Sequence, residues 1–228
     1  VAQLEAELAW RRTPTCCPTP QQQKPQWPTI TPTGLLQADV AWFDQDDANR
    51  QTVGDIENGA AIRRGRIGAL GQVAANVAYR LEFEFSTGNG NPLFLDTFVD
   101  VQQLPFGTFR GGHWIQPIGF NAQTPIRFTT FMERSLLQAL VPFRETGMGV
   151  YNSFWDQRAT YQATAFRAPT DQLGGNVGDS GGFGGAGRMT YLLVDQCDGR
   201  RLLHVGSSLG VIDRVAIPQA FPPPQEHN

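Results

Sequence analysis

Cysteine is scarce in this 228-residue chain: only Cys16, Cys17 and Cys197. Adjacent cysteines rarely bridge each other, and an unmatched third thiol argues against a secreted disulfide framework, so a reducing compartment is expected. Charge is thin as well. Asp, Glu, Lys and Arg make up 17% of the residues, against roughly 25% in an average soluble domain. The net charge of −3 supplies no electrostatic drive toward sequence-independent nucleic-acid binding. No apolar run reaches the ~18 residues of a membrane-spanning helix. The first residues lack the charged start and apolar stretch of a signal peptide, and no Cys/His cluster has metal-ligand spacing. Glycine and proline are plentiful, with 25 and 16 residues. Together with the low charge, they describe a loop-rich β protein much of whose surface is covered by something other than water.

Three regions are expected. Residues 1–33 form an extended arm, because "TPTCCPTPQQQKPQWPTITPTG" is too rich in proline to pack as a core. Residues 34–218 form the folded domain, and 219–228 a proline-rich tail. Val1, Leu4 and Leu8 open the arm at helical spacing. Within the domain, "LLQADVAWFD" (35–44) reads as a first strand, and Ile67, Leu70, Val73 and Val77 share one face of a short helix. The period then changes to two. Tyr79, Leu81, Phe83 and Phe85 alternate with Arg80, Glu82, Glu84 and Ser86, a half-buried strand. Further strands are expected at 93–99, 113–120, 125–131, 135–143, 188–195 and 201–217. About eight strands between Gly/Pro/Asn turns, with one or two short helices, predict an all-β antiparallel sandwich or barrel.

The pentapeptide GDSGG surrounds Ser180 and matches the sequence around the nucleophile of trypsin-like serine proteases. Such a serine needs a general base and an oriented acid. Only His113 precedes it, in "FRGGHWIQ", and Asp156 or Asp171 could orient that histidine. The proline that follows GDSGG in those enzymes is Phe183 with further glycines here. Ser180 and His113 therefore stand as the alternative, and the primary expectation is no enzymatic activity, no catalytic residue and no metal.

Three stretches resemble the jelly-roll capsid proteins of picornavirus-like, positive-strand RNA viruses, viral protein one in particular. They are "AYRLEFEFSTGNGNPLFLDTFVDVQQLPFG", "LLQALVPFRETGMGVYNSFWD" and "LGVIDRVAIPQAFPPP". The resemblance implies an eight-stranded antiparallel jelly-roll β-sandwich with an extended N-terminal arm, a structural capsid subunit of a small non-enveloped icosahedral RNA virus. It further implies assembly with sister capsid proteins in a hetero-oligomeric shell, attachment to a host receptor, contact with genomic RNA through the arm, and a virion assembled in the host cytoplasm. Transient membrane contact on entry would fall to Val1, Leu4, Leu8 and Trp10. On this reading Asp171, Asn176, Asp179, Ser180 and Phe183 occupy an exposed receptor-contacting loop. Tyr151, Phe154 and Trp155 are subunit contacts. No cofactor is implied beyond a lipid-like pocket molecule, which Met132 and Met148 would line.

Overall fold

The computed structural model describes residues 26–87, 90–132, 134–168, 182–196 and 200–213. The expectation of an all-β, antiparallel chain with few helices holds. Ten strands run in order: β1 Thr31–Ala41, β2 Gly59–Ala74, β3 Val77–Glu84, β4 Leu93–Phe94, β5 Thr97–Leu104, β6 Gly107–Ile115, β7 Arg144–Phe154, β8 Ala159–Ala168, β9 Gly182–Gln196 and β10 Arg201–Ile212. A short helix α1 (Asp47–Val53) lies between β1 and β2. The Asp46 carboxylate caps it by accepting from the Asn49 N–H at 2.7 Å.

The described strands form one sheet, in place of the two packed sheets of a jelly roll, and its order follows the chain from β1 to β10. Every ladder is antiparallel. Strands β4 and β5 succeed each other along the same side of β3, so they share one lane. The described tight turns, residues 75–76, 105–106 and 155–158, therefore fall at one end. The longer connections 42–58, 85–96 and 116–143 fall at the other.

The connection from β6 to β7 turns back over one face of the sheet. It contains helix α2 (Phe120–Gln123) and 3-10 turns at Ile126–Phe128 and Leu136–Leu140. Gln116 roots it: fully buried, its side-chain amide donates to the carbonyls of Trp114 and Glu145. From there it reaches both outer strands. Arg127 donates to the Gly34 carbonyl of β1 at 3.2 Å, and the Gly119 N–H donates to the Ser208 hydroxyl of β10 at 3.2 Å. Ile118 packs with Ile212 against Phe166, Ala168 and Ala186, the one apolar cluster of buried residues among those described.

The two faces of the sheet differ in chemistry because strand residues alternate sides. On the face that the connection covers, the ladder pairs Gln37 with Arg64, Arg66 with Glu84 and Asp100 with Arg110. Gln162 pairs with Arg188 on the same face. The other face carries Leu36, Val40, Ile67, Val99, Met148, Met189, Leu209 and Val211, all exposed. Among described residues, six hydrophobic side chains are buried, and so are six polar or charged ones. An ordinary soluble core hides far more apolar than ionisable groups. This sheet hides about as many of one as of the other.

Several sequence expectations are corrected. Ile67, Leu70, Val73 and Val77 lie on strands β2 and β3 instead of a helix. Their spacing fits a helical face, but the glycines at 68 and 71 let a strand pass closely over its neighbours. Segments 125–131 and 135–143 contain 3-10 turns where strands were expected, and 116–120 leaves the sheet to begin the covering connection. Strands β7 and β8 were not anticipated. Their glycine, alanine and threonine content hides the alternation. Residues 1–25 and 214–228 lie outside the described residues, and so do most of the expected arm, the whole of the tail and all three cysteines.

Gly112 of β6 shows why small residues are needed. Its φ is +143°, and an added Cβ would come within 2.6 Å of the Phe98 Cα. Gly111, its neighbour on the bare face, meets nothing closer than the Phe109 ring at 3.9 Å. Gly112→Val is expected to cost about 1–3 kcal/mol, read as a lowered midpoint of urea unfolding. Gly111→Val should leave that midpoint nearly unchanged.

Candidate functional site

Between the covered face and its connection lies a groove of about 650 Å³. Seven arginines line it: Arg64, Arg66, Arg80, Arg110 and Arg144 from strands, Arg127 and Arg134 from the connection. Only two carboxylates, Glu82 and Asp96, reach its surface. The strand period places these groups. Residues 66, 80, 82 and 84 fall on one side of adjacent strands, and the antiparallel register brings them level.

Four of the arginines are neutralised in place. The pairs form a continuous ladder: Arg66 Nε to Glu84 at 2.8 Å and Arg66 to Glu82 at 3.7 Å, then Arg80 to Glu82 at 2.5 Å. It continues from Arg80 to Asp96 at 4.0 Å and from Arg144 to Asp96 at 3.1 Å. The Glu84 carboxylate also accepts from the Gly65 N–H at 2.7 Å. Beside the ladder, Arg110 holds Asp100 in a two-point fork at 2.7 and 2.8 Å, and the Tyr151 hydroxyl donates to Asp100 at 2.7 Å. The Arg110 guanidinium lies 3.6 Å from the Phe98 ring centre and 4.9 Å from that of Tyr151, a stacked geometry in which the planar cation keeps its fork in one orientation.

Arg64, Arg127 and Arg134 are held differently, by neutral acceptors. Arg64 donates to the Gln37 side-chain carbonyl at 2.6 Å, and Arg127 to the Gly34 carbonyl. Arg134 donates to the main-chain carbonyls of Asn121 and, at 2.9 Å, Thr124. No carboxylate among the described residues pairs with these three. Set against Glu82, Glu84, Asp96 and Asp100, the seven arginines leave three that rest on neutral partners among the described residues. Burial, then repulsion from Arg144, Arg64 and Arg66, pushes the Arg134 guanidinium below its usual pKa. The groove is thus a concentrated cationic surface, part of whose charge has no acid partner among the described residues. Its cations come almost wholly from arginine, for the chain has seventeen arginines and one lysine.

The residues singled out from the sequence that are described lie at separate places in the sheet. His113 is buried in β6 with Nδ1 3.0 Å from the Thr146 hydroxyl. Ser180, Asp171, Asn176 and Asp179 lie outside the described residues. Phe183 stands on the bare face of β9 beneath the Arg167 guanidinium. Tyr151 belongs to the covered face, bonded to Asp100, whereas Phe154 and Trp155 project at the β7–β8 turn. There Phe154 stacks on Tyr161 at 5.7 Å, and Trp155 meets Tyr191 edge-on at 6.0 Å. Met132 sits on the connection beside a groove shared with Leu35 and Arg64, and Met148 on the opposite face, so the two cannot line one lipid pocket. No group of His, Cys, Asp and Glu among the described residues could hold a metal ion. The arginine groove was missed. Its signal was present in the Arg/Glu positions of "RRGR" and "YRLEFE", but the first was read as part of a polar connection and the second as the polar side of a half-buried strand.

A chain-order antiparallel sheet with one apolar and one ionised face is built as the wall of a porin. The match is to a family model, that of phosphate-selective porin O and P, over residues 31–211; the chain belongs to this family. No curated protein matches it. The family overturns the capsid resemblance and, with it, the virion, the sister subunits, the receptor, the RNA contact and the host cytoplasm. It agrees with the expectation of no enzymatic activity and leaves no place for a protease built on Ser180 and His113.

The Asp100–Arg110–Tyr151 cluster is the most deeply held part of the site, with the Asp100 side chain 7% exposed. Asp100→Ala strands the Arg110 cation and is expected to cost about 3–5 kcal/mol, measured by urea unfolding. Tyr151→Phe keeps the ion pair and should cost about 1 kcal/mol.

Proposed function

We propose that this sheet is part of a bacterial outer-membrane barrel. The bare face lies in lipid and the covered face lines a water-filled pathway for inorganic anions, phosphate foremost. Among the described residues no helix is long and apolar enough to cross a membrane. A tilted strand of about 9–11 residues suffices, and β1, β7, β8 and β10 have 11, 11, 10 and 12. Outer-membrane strands alternate apolar outward and polar inward, with short turns at the periplasmic end and longer loops outside. The faces and connections of this chain follow that plan.

Aromatic side chains on the bare face support the same placement. Phe154, Trp155, Tyr161 and Tyr191 gather near the tight turns, and Trp42, Phe85 and Phe183 near the long connections. From Tyr191 to Phe183 along β9 the outward positions are Met189, Gly187 and Gly185. Eight residues at ~3.3 Å each span ~26 Å along the strand, or ~20 Å of height at a tilt of ~40°, close to the apolar band about 25 Å tall between two aromatic girdles.

The observation that carries the anion reading is the trio Arg64, Arg127 and Arg134 on neutral acceptors. A guanidinium fork matches a phosphate oxyanion in geometry and charge. The ion-paired arginines hold the wall, and the trio supplies the net attraction. The connection 116–143 narrows the pathway and carries two of the three cations into it.

Two outcomes test this reading. In planar bilayers with a salt gradient, reversal potentials should report anion preference. Each of Arg64→Gln, Arg127→Gln and Arg134→Gln should lower that preference about fivefold, the partition change for roughly 1 kcal/mol per charge at 4 Å in water; unchanged selectivity in the triple variant refutes it. In a variant retaining Trp155 as its sole tryptophan, phospholipids brominated near the headgroup should quench emission more strongly than those brominated at the chain ends. Equal indifference to both refutes the membrane placement.

A further inference from the structure

We infer that the pathway holds an amphipathic subsite beside the arginine groove. There Arg64 and Arg127 hold the phosphoryl end of an organic phosphate monoester, and an adjoining apolar cavity seats its small aryl or branched alkyl group. The inference rests on the anion-pathway reading and goes beyond it by adding a second class of ligand.

Where β1 and β2 face the connection, a cavity of about 300 Å³ opens beside the 650 Å³ groove. Leu35, Arg64, Ile126 and Arg127 line both spaces, so the two adjoin along that edge. On one side of the edge the larger groove continues into the ion-paired ladder of Arg66, Arg80, Glu82 and Arg144. On the other, the smaller cavity adds Phe131 and Met132, and no carboxylate among the described residues lines it. Local sequence sets this boundary. On β1, Thr33, Leu35, Gln37 and Asp39 turn toward the covered face, and Leu35 is the one apolar member of that run. In the connection, the 3-10 turn Ile126–Phe128 sets Ile126 beside Arg127, and the Thr129 hydroxyl closes it by donating to the Ile126 carbonyl at 2.9 Å. Thr129 is extended, which carries the chain on to Phe131 and Met132.

Phe131 and Met132 are 78% and 58% exposed, yet they stand on the covered face, away from the lipid that the bare face meets. Apolar side chains grouped in a recess beside a few convergent polar groups describe a small-molecule site. Water gains little in the apolar part, where it finds few hydrogen-bonding partners. An apolar cavity of about 150 Å³ takes up benzene, so 300 Å³ has room for one ring or branched chain. Inorganic phosphate has no group to place there.

The charged end is provided for separately. Arg64 rests on the Gln37 side-chain carbonyl at 2.6 Å and Arg127 on the Gly34 carbonyl at 3.2 Å. A guanidinium carries more N–H donors than one such bond uses, so each keeps donors for phosphate oxygens. No carboxylate among the described residues pairs with either to compete. A phosphate monoester carries its ionised oxygens on one side of the bridging oxygen and its apolar group on the other. The recess is ordered the same way, guanidiniums first and Phe131 with Met132 beyond them.

Block of chloride current in planar bilayers tests the subsite, with phenyl phosphate and inorganic phosphate as the two probes. Phenyl phosphate should halve the current at about a fivefold to tenfold lower concentration, the gain from burying roughly half of a phenyl group. In the double variant Phe131→Asn/Met132→Gln the two probes should act at the same concentration. Equal potency in the unaltered protein, or an advantage for phenyl phosphate that survives the double variant, overturns the inference. Thiol protection gives a second readout that does not need that variant. In a background carrying Cys16→Ser, Cys17→Ser and Cys197→Ser, phenyl phosphate should slow modification of Met132→Cys by a methanethiosulfonate reagent more than inorganic phosphate does. Equal rates with the two probes overturn the inference. An anion-selective channel that treats both probes alike sinks the subsite and leaves the anion pathway standing. A channel with no anion preference sinks both.

Discussion

Most charged side chains on the covered face of this sheet are satisfied by one another, and much of the architecture follows from that constraint. Arg66, Arg80 and Arg144 share the carboxylates of Glu84, Glu82 and Asp96 in an unbroken run across neighbouring lanes. Removing one member leaves an ion of opposite sign in a poorly solvated place. The ladder therefore fixes the register of β2 on β3 more firmly than apolar packing could, because a slip of one residue would turn every charge onto the opposite face. With the ionised groups committed inward, the apolar residues of the same strands have only the outer face left.

The connection between β6 and β7 turns this wall into a device. It begins at the buried Gln116, packs Ile118 against the Phe166 cluster and ties to β1 through Arg127. Without it the covered face would present mostly compensated pairs. With it, the groove gains Arg127 and Arg134 with no matching acids among the described residues. Charge is thereby divided among residues of one type: the paired guanidiniums hold strands together, and on the proposed function those on neutral acceptors set the sign of what enters.

How much of this was legible in the sequence depends on which property is asked for. The alternation of Tyr79 to Ser86 correctly located β3, because a period of two is printed in the residues themselves. It did not say which side faced inward. Water as the assumed solvent put Leu81, Phe83 and Phe85 inside, whereas Glu82 and Glu84 are buried and Phe85 is half exposed. The same assumption turned a large apolar surface into a subunit interface and so toward a shell of sister chains. Strands β7 and β8 were unreadable for another reason. Where glycine and alanine occupy the outward positions, as at Gly111, Ala163 and Ala165, hydrophobic contrast disappears although the ladder is complete. The arginine groove drew together residues some eighty positions apart, Arg64 and Arg144, through pairings that no local pattern displays.

The partners chosen by Arg127 and Arg134 bear on how such a pathway drifts over evolutionary time. Both guanidiniums dock on main-chain carbonyls, at Gly34 for the one and at Asn121 and Thr124 for the other. Every amino acid offers a carbonyl, so positions 121 and 124 can exchange side chains without uncoupling the cation from its seat. On the proposed function, the demand falls on the arginine itself and not on the side chains of its anchors, so the rim of the passage can change shape without losing the sign of its cargo.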